Sequence, residues 1–132
     1  MIEIGDRPII SHILKPYIHY GINEFVICCA YKKYMIKKYF ANYFLLMSNV
    51  TFDMRTNSME MHQKNAEPSE VTPVDTGEQA LTGGRLKRVR ENISDISFCF
   101  TYGDGVADIP IDQLIKKHHA GSNLATITSV NL

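Results

Sequence analysis

Residues suited to chemistry concentrate in two stretches of this 132-residue chain. In SFCFTYGDGVADIPIDQL, residues 97–114, an apolar run reads as a buried strand ending at Tyr102. Gly-Asp-Gly follows, then Asp108 just ahead of a helix. Open α/β sheets bind ligands outside the carboxyl ends of their strands, and glycines let another group approach the backbone closely. Asp104 there suits Mg2+, which takes one or two protein carboxylates and completes its shell with water and phosphate oxygens. The competing reading is a plain Asp-Gly turn, with Asp108 as the cap of a helix opening at Ile109-Pro110. The residues alone leave both open for Asp104 and favour the cap for Asp108.

The second stretch is DTGEQALTGGRLKRV, residues 75–89. It places Gly83, Gly84 and Arg85 at a helix start that Thr82 is expected to cap, the helix running to about Glu91. Free N–H groups and a guanidinium at such a point favour an anion such as phosphate. The plainer alternative is a basic surface helix with Arg85, Lys87, Arg88 and Arg90 in water. Aspartic proteases also use Asp-Thr-Gly, but one copy in an α/β pattern is poor support for a protease.

The elements that would hold these stretches alternate. MIEIG reads as a short strand stopped at Gly5. Ile9, Ile10, Ile13, Leu14 and Tyr17 keep helical spacing up to Gly21, with Pro16 as an interior breaker. EFVICCA, residues 24–30, is a continuous apolar run of strand length, as in a parallel sheet. Residues 32–46 read as a second helix, with Tyr34, Met35, Tyr39, Phe40, Tyr43 and Phe44 on its apolar side. Two alternating segments around Thr56-Asn57-Ser58 predict a hairpin over about 50–64. VTPVDTG is a weak edge strand because Pro73 lacks a donor. A strand over 97–102, a helix over 110–119 and a last apolar run, NLATITSV, complete the pattern. The expected class is α/β, with a mostly parallel sheet and one inserted hairpin, in a single domain spanning 1–132.

Composition narrows the function classes. Hydrophobic residues make up 45% and charged residues 21%, as in ordinary globular material. Lys plus Arg equals Asp plus Glu at 14 each, so non-specific nucleic-acid binding, which needs a basic excess, is not expected. The lysines at 32, 33, 37 and 38 read as a solvated face. No apolar stretch approaches the ~20 residues of a membrane span. Cys28, Cys29 and Cys99 make no zinc spacing and read as small hydrophobes in a reducing, cytoplasmic setting. His12 and His19 are too far apart on one helix to share a metal. His62, His118 and His119 need no catalytic role, and the methionines read as core or interface packing.

The combination of YFANYF, TGGRLKRV and TYGDGVAD, with nearly all the sequence between and before them, resembles the sugar-nucleotide nucleotidyltransferases of the glucose-1-phosphate cytidylyltransferase type. The resemblance implies a Rossmann-like nucleotidyltransferase fold, incomplete at both ends. It implies transfer of a cytidylyl group from CTP to α-D-glucose 1-phosphate, giving CDP-glucose and pyrophosphate with Mg2+, on the way to dideoxysugars of surface polysaccharide. It carries a metal-binding role onto Asp104, a backbone contact onto Gly103, and substrate contacts onto Arg85 and the Ala80–Thr82 stretch, Thr82 included. No catalytic residue is carried over. Ala80 departs from the small hydroxyl residue expected there, and Asp6 from a tight-turn glycine.

The resemblance also implies parts outside this sequence. These are a glycine-rich triphosphate loop and a Pro-Lys-Pro lysine ahead of Met1, then a second metal aspartate, sugar-binding residues and homo-oligomer contacts beyond Leu132. The expectation is a chain that alone turns over essentially no substrate, from a truncated gene or a misplaced start. The alternative is a non-catalytic assembly module that joins a full-length relative through the hairpin.

Overall fold

The computed structural model describes residues 2–64, 67–94 and 97–129, in two compact units. The first runs over Asn23–Phe100; the second combines Ile2–Ile22 with 101–129.

In the first unit, β3 (Glu24–Cys29) pairs in parallel with β6 (Glu70–Asp75), in the register Glu24↔Glu70 to Cys29↔Asp75. Pro73, opposite Ile27, has no N–H to donate, which suits a strand with a single described neighbour. The connection between them carries α2 (Lys33–Ala41), α3 (Tyr43–Met47) and the hairpin of β4 (Ser48–Asp53) and β5 (Ser58–Lys64). The single helix expected over 32–46 is thus two, broken at Asn42, whose side-chain Nδ2 donates to the Lys38 carbonyl at 2.7 Å. Helix α2 lies against β6 and α3 against the hairpin.

The hairpin turn is fixed locally. Asp53 Oδ1 accepts the Arg55 N–H at 2.9 Å, and Asn57 takes a left-handed φ of 52°. Asparagine tolerates that region better than most residues. Pairing sets Val50 opposite Met61 and Phe52 opposite Met59 on one face, with Thr51 opposite Glu60 on the other. Phe52, Met54, Met59 and Met61 are all exposed, so these methionines are not core residues. After β6, α4 (Thr82–Arg88) leads into a 3-10 turn at Arg90–Asn92.

The second unit opens with the two-residue strands β1 (Glu3–Ile4) and β2 (Arg7–Pro8), antiparallel around Gly5. Then comes α1 (Ile9–His19), with Ile9, Ile10, Ile13 and Leu14 buried as their spacing predicts. Pro16 does sit inside this helix, where it removes one hydrogen bond. Pro16→Ala should therefore raise the thermal midpoint, the gain approaching ~3 kcal/mol if the helix closes fully over the new N–H; an unchanged melting curve would mean the helix has already adapted.

Two readings from sequence, the 97–102 strand and the Asp108 cap, are corrected here. Residues 97–102 are irregular rather than a strand, and Phe98, Phe100 and Tyr102 are exposed rather than buried. The described part of NLATITSV is likewise irregular. Helix α5 (Ile111–Ala120) begins after Pro110 in the capping position with no side-chain cap, so Asp108 lies two residues too early to cap it. The α/β class itself stands: helices and strands mix, with one parallel pair and two antiparallel ones among the described residues.

Candidate functional site

In the first unit, the site is built at the carboxyl ends of β3 and β6, where the chain turns towards α4. Thr76, directly after β6, is 1% exposed. Its N–H donates to the Cys29 carbonyl at 2.8 Å, and its hydroxyl donates to the same oxygen at 3.0 Å. The Thr76 hydroxyl in turn accepts Arg85 Nη1 at 3.0 Å, and Arg85 Nη2 reaches the Glu78 carbonyl at 3.5 Å. Arg88 Nη1 donates to the Thr76 carbonyl. Two arginines from one helix thus fold the 76–81 loop back onto the strand ends.

Gly77 lets the loop turn. Its φ is +78°, and its N–H donates to Asp75 Oδ1 at 3.1 Å, an Asx turn. Asp75 also pairs with Lys33 from α2. The Lys33 ammonium, then the Gly77 N–H, hold the Asp75 carboxyl below its usual range, and Asp75 pushes Lys33 above its own. The pair therefore contributes stability above the ordinary carboxylate pKa of ~4 and loses it as pH falls through the lowered Asp75 value. Both side chains are near half exposed, so the contribution is small. Asp75→Asn should flatten the acid side of the melting-temperature profile; a parallel, unflattened profile would deny the pair any part in it.

Thr82 does not cap α4. Leu81 holds the capping position with extended backbone and no side-chain cap bond, while Thr82 is already helical. The helix has only seven residues, so its dipole adds little and the guanidinium is the charge that matters for an anion. Arg85 is half-buried rather than solvated, which overturns the surface-helix reading for that residue; Lys87, Arg88 and Arg90 are exposed.

Gly103 and Asp104 lie in the second unit, on an exposed bend ahead of α5. Neither Gly103 nor Gly105 takes a positive φ, and a Cβ at either would meet no atom within 4 Å, so the glycines keep the surface beside Asp104 low. Among the described residues Asp104 is engaged in no hydrogen bond or ion pair. Nor do the described residues contain a group of three or more His, Cys, Asp or Glu able to hold a metal. A single free carboxylate fits Mg2+, which retains water and phosphate oxygens, and does not fit zinc, which requires three or four protein ligands. The Asp104 carboxylate thus has the chemistry to serve as one ligand of such an ion.

Three of the five histidines make local hydrogen bonds. His12 Nε2 meets the Ile4 carbonyl at 3.0 Å, His62 meets Thr51 Oγ1 at 2.8 Å, and His118 meets Thr126 Oγ1 at 3.0 Å. Cys28, Cys29 and Cys99 are free thiols, and Cys99 is exposed rather than packed in a strand.

Comparison with known proteins agrees with the motifs. The chain is 57% identical over 130 residues to the glucose-1-phosphate cytidylyltransferases of Salmonella typhimurium and Salmonella typhi. It matches half of a glucose-1-phosphate cytidylyltransferase. The alignment covers 98% of this chain and 51% of each relative, so the chain spans about half the length of the curated relatives it matches. A probable glucose-1-phosphate cytidylyltransferase of Bacillus subtilis is 38% identical over 128 residues, 97% of this chain and 50% of that protein. No family model matches. Similarity to these cytidylyltransferases thus runs through both units, with Thr82, Arg85, Gly103 and Asp104 in the span. Thr76 and Gly77, which organise the loop, entered the sequence reading only as an Asp-Thr-Gly set aside as a protease motif, and Lys33 only as part of a solvated face, whereas it pairs with Asp75. The signal for the first two is Asp-Thr-Gly after a strand, an Asx turn with glycine at the left-handed position.

Proposed function

We propose that the chain is the nucleotide- and metal-binding portion of a nucleotidyltransferase that moves a cytidylyl group from CTP to α-D-glucose 1-phosphate, releasing pyrophosphate and CDP-glucose. In that reaction a phosphate oxygen of the sugar phosphate attacks the α-phosphorus of CTP, a new P–O bond forms, and the bond to the pyrophosphate oxygen breaks. The protein's part is positioning and charge stabilisation. Arg85 meets a phosphate with the guanidinium N–H groups that Thr76 and Glu78 leave over. Gly103 offers backbone to the nucleotide sugar, Thr82 borders the base, and Asp104 would hold Mg2+. That ion, when bound, neutralises phosphate charge.

The observation that carries this reading is the 57% identity over 98% of the chain to proteins named for the reaction. A cytoplasmic setting accords with three unpaired thiols, and no helix among the described residues is long and apolar enough to cross a membrane. Calorimetry with Mg2+ and each nucleoside triphosphate in turn tests it. CTP should bind and ATP or GTP should bind at least tenfold more weakly; equal affinities for all would remove the cytidylyl assignment.

The exposed apolar hairpin face favours a second reading, an assembly module that joins a full-length relative. Under it, Phe52→Ser abolishes association with a full-length cytidylyltransferase while the chain binds no CTP. Association unaffected by that change removes the module reading.

A further inference from the structure

We propose that Thr76 is a positioning residue for Arg85, its buried hydroxyl holding the guanidinium at the carboxyl end of the β3–β6 pair, a role that bears on catalysis through the reading of Arg85 as a phosphate contact. The hydroxyl has one proton and here makes one donated and one accepted bond, to the Cys29 carbonyl at 3.0 Å and from Arg85 Nη1 at 3.0 Å. Donation to the carbonyl fixes the hydroxyl's rotation and turns an oxygen lone pair towards the arginine. The anchor is rigid, since Cys29 and Thr76 are each 1% exposed and are also joined through the Thr76 N–H.

A guanidinium has five N–H donors in a planar fork. Thr76 and Glu78 engage one N–H on each terminal nitrogen, which fixes the plane and leaves the rest of the fork for an incoming anion. Without the hydroxyl, Arg85 keeps one long contact of 3.5 Å to Glu78 and regains most of its rotamers. The charge would remain while its placement was lost, and placement is what transfer to phosphorus requires.

Cys28 supplies a reporter that does not depend on nucleotide. Burial pushes its thiol up, and the Arg85 guanidinium acts in the opposite direction. Cys29 is the adjacent thiol, so the readout must resolve the two sites. The experiment is alkylation by iodoacetamide as a function of pH, mapped to Cys28 by peptide mass, on the wild-type chain and on Thr76→Val, Thr76→Ser, Arg85→Ala and Thr76→Val/Arg85→Ala. Thr76→Val and Arg85→Ala should each slow Cys28 alkylation near neutral pH by about threefold through an upward-moved titration. Thr76→Ser should match wild type, and the double variant should match Arg85→Ala alone.

Two results would overturn the role: Arg85→Ala shifting Cys28 while Thr76→Val does not, or Thr76→Val acting as strongly without Arg85 as with it. Thr76→Ser, which keeps the hydroxyl, separates loss of the bond from loss of the fold. Calorimetry with Mg2+ and CTP on the same samples should show affinity about tenfold lower for Thr76→Val and unchanged for Thr76→Ser. A wild-type chain that binds no CTP counts against the cytidylyltransferase reading, and the thiol titration then decides Thr76 independently.

Discussion

Gly77→Val should lower the stability of the first unit by about 3 kcal/mol, enough to move a melting midpoint by roughly 10 °C in a chain of this size. Two effects add. The backbone at residue 77 has φ +78°, where a β-branched side chain costs more than the ~1–2 kcal/mol charged to an unbranched one. A Cβ there would also stand 2.8 Å from Arg88 Nη1, the group that donates to the Thr76 carbonyl. Arg88 can swing away, but the carbonyl then loses its bond, at a further ~1 kcal/mol. Gly83→Ala is the control of opposite sign. It sits in α4 with nothing within 4 Å of a new Cβ, and alanine in a helix gains up to ~1 kcal/mol over glycine. Equal melting curves for the two variants would mean that the left-handed turn at Gly77 is not part of the folded loop.

Arg85→Ala should weaken CTP binding by ~10- to 100-fold, the range for a charge-assisted hydrogen bond lost from a partly enclosed site. Arg85→Lys should restore little of it. An ammonium on a flexible stem cannot engage Thr76, Glu78 and a phosphate with one planar group. Lysine recovering full affinity would reduce Arg85 to a point charge and make its tether irrelevant. Lys87→Ala, by contrast, changes an exposed side chain on the same helix and should leave binding within twofold at 0.15 M salt, where surface charges are largely screened.

What could be read from sequence divides along a physical line. Local patterns were legible. Ile9, Ile10, Ile13 and Leu14 share a helix face and are buried together, and residues 24–29 form the expected strand. The hairpin turn announced itself through Thr56-Asn57-Ser58, where Asn57 takes the left-handed φ, while the Asp53 carboxylate that accepts the Arg55 and Thr56 N–H groups was not foreseen. Non-local pairing was not legible. Whether 97–102 becomes a strand depends on a neighbour, and no local property of SFCFTY reports whether one is present. The cap assignments for Thr82 and Asp108 failed by one and two residues because the helices start after Leu81, whose backbone is extended, and after Pro110, whose backbone is non-helical.

The candidate site shows the same division. Arg85, Gly103 and Asp104 were named from motif, but the bond from Thr76 to Cys29 joins residues 47 positions apart and appears only once β3 and β6 are paired. The Lys33–Asp75 ion pair, 42 positions apart, is hidden for the same reason.

The most direct measurement is a calorimetric titration of CTP into the purified chain, with and without Mg2+, run beside Asp104→Ala. Binding that requires Mg2+ and disappears in the variant, with both proteins folded by circular dichroism, is the expected result. Mg2+-dependent binding of equal strength in Asp104→Ala would contradict the assignment of the metal to this carboxylate, and no CTP binding by the folded wild-type chain would contradict the nucleotide-binding role itself.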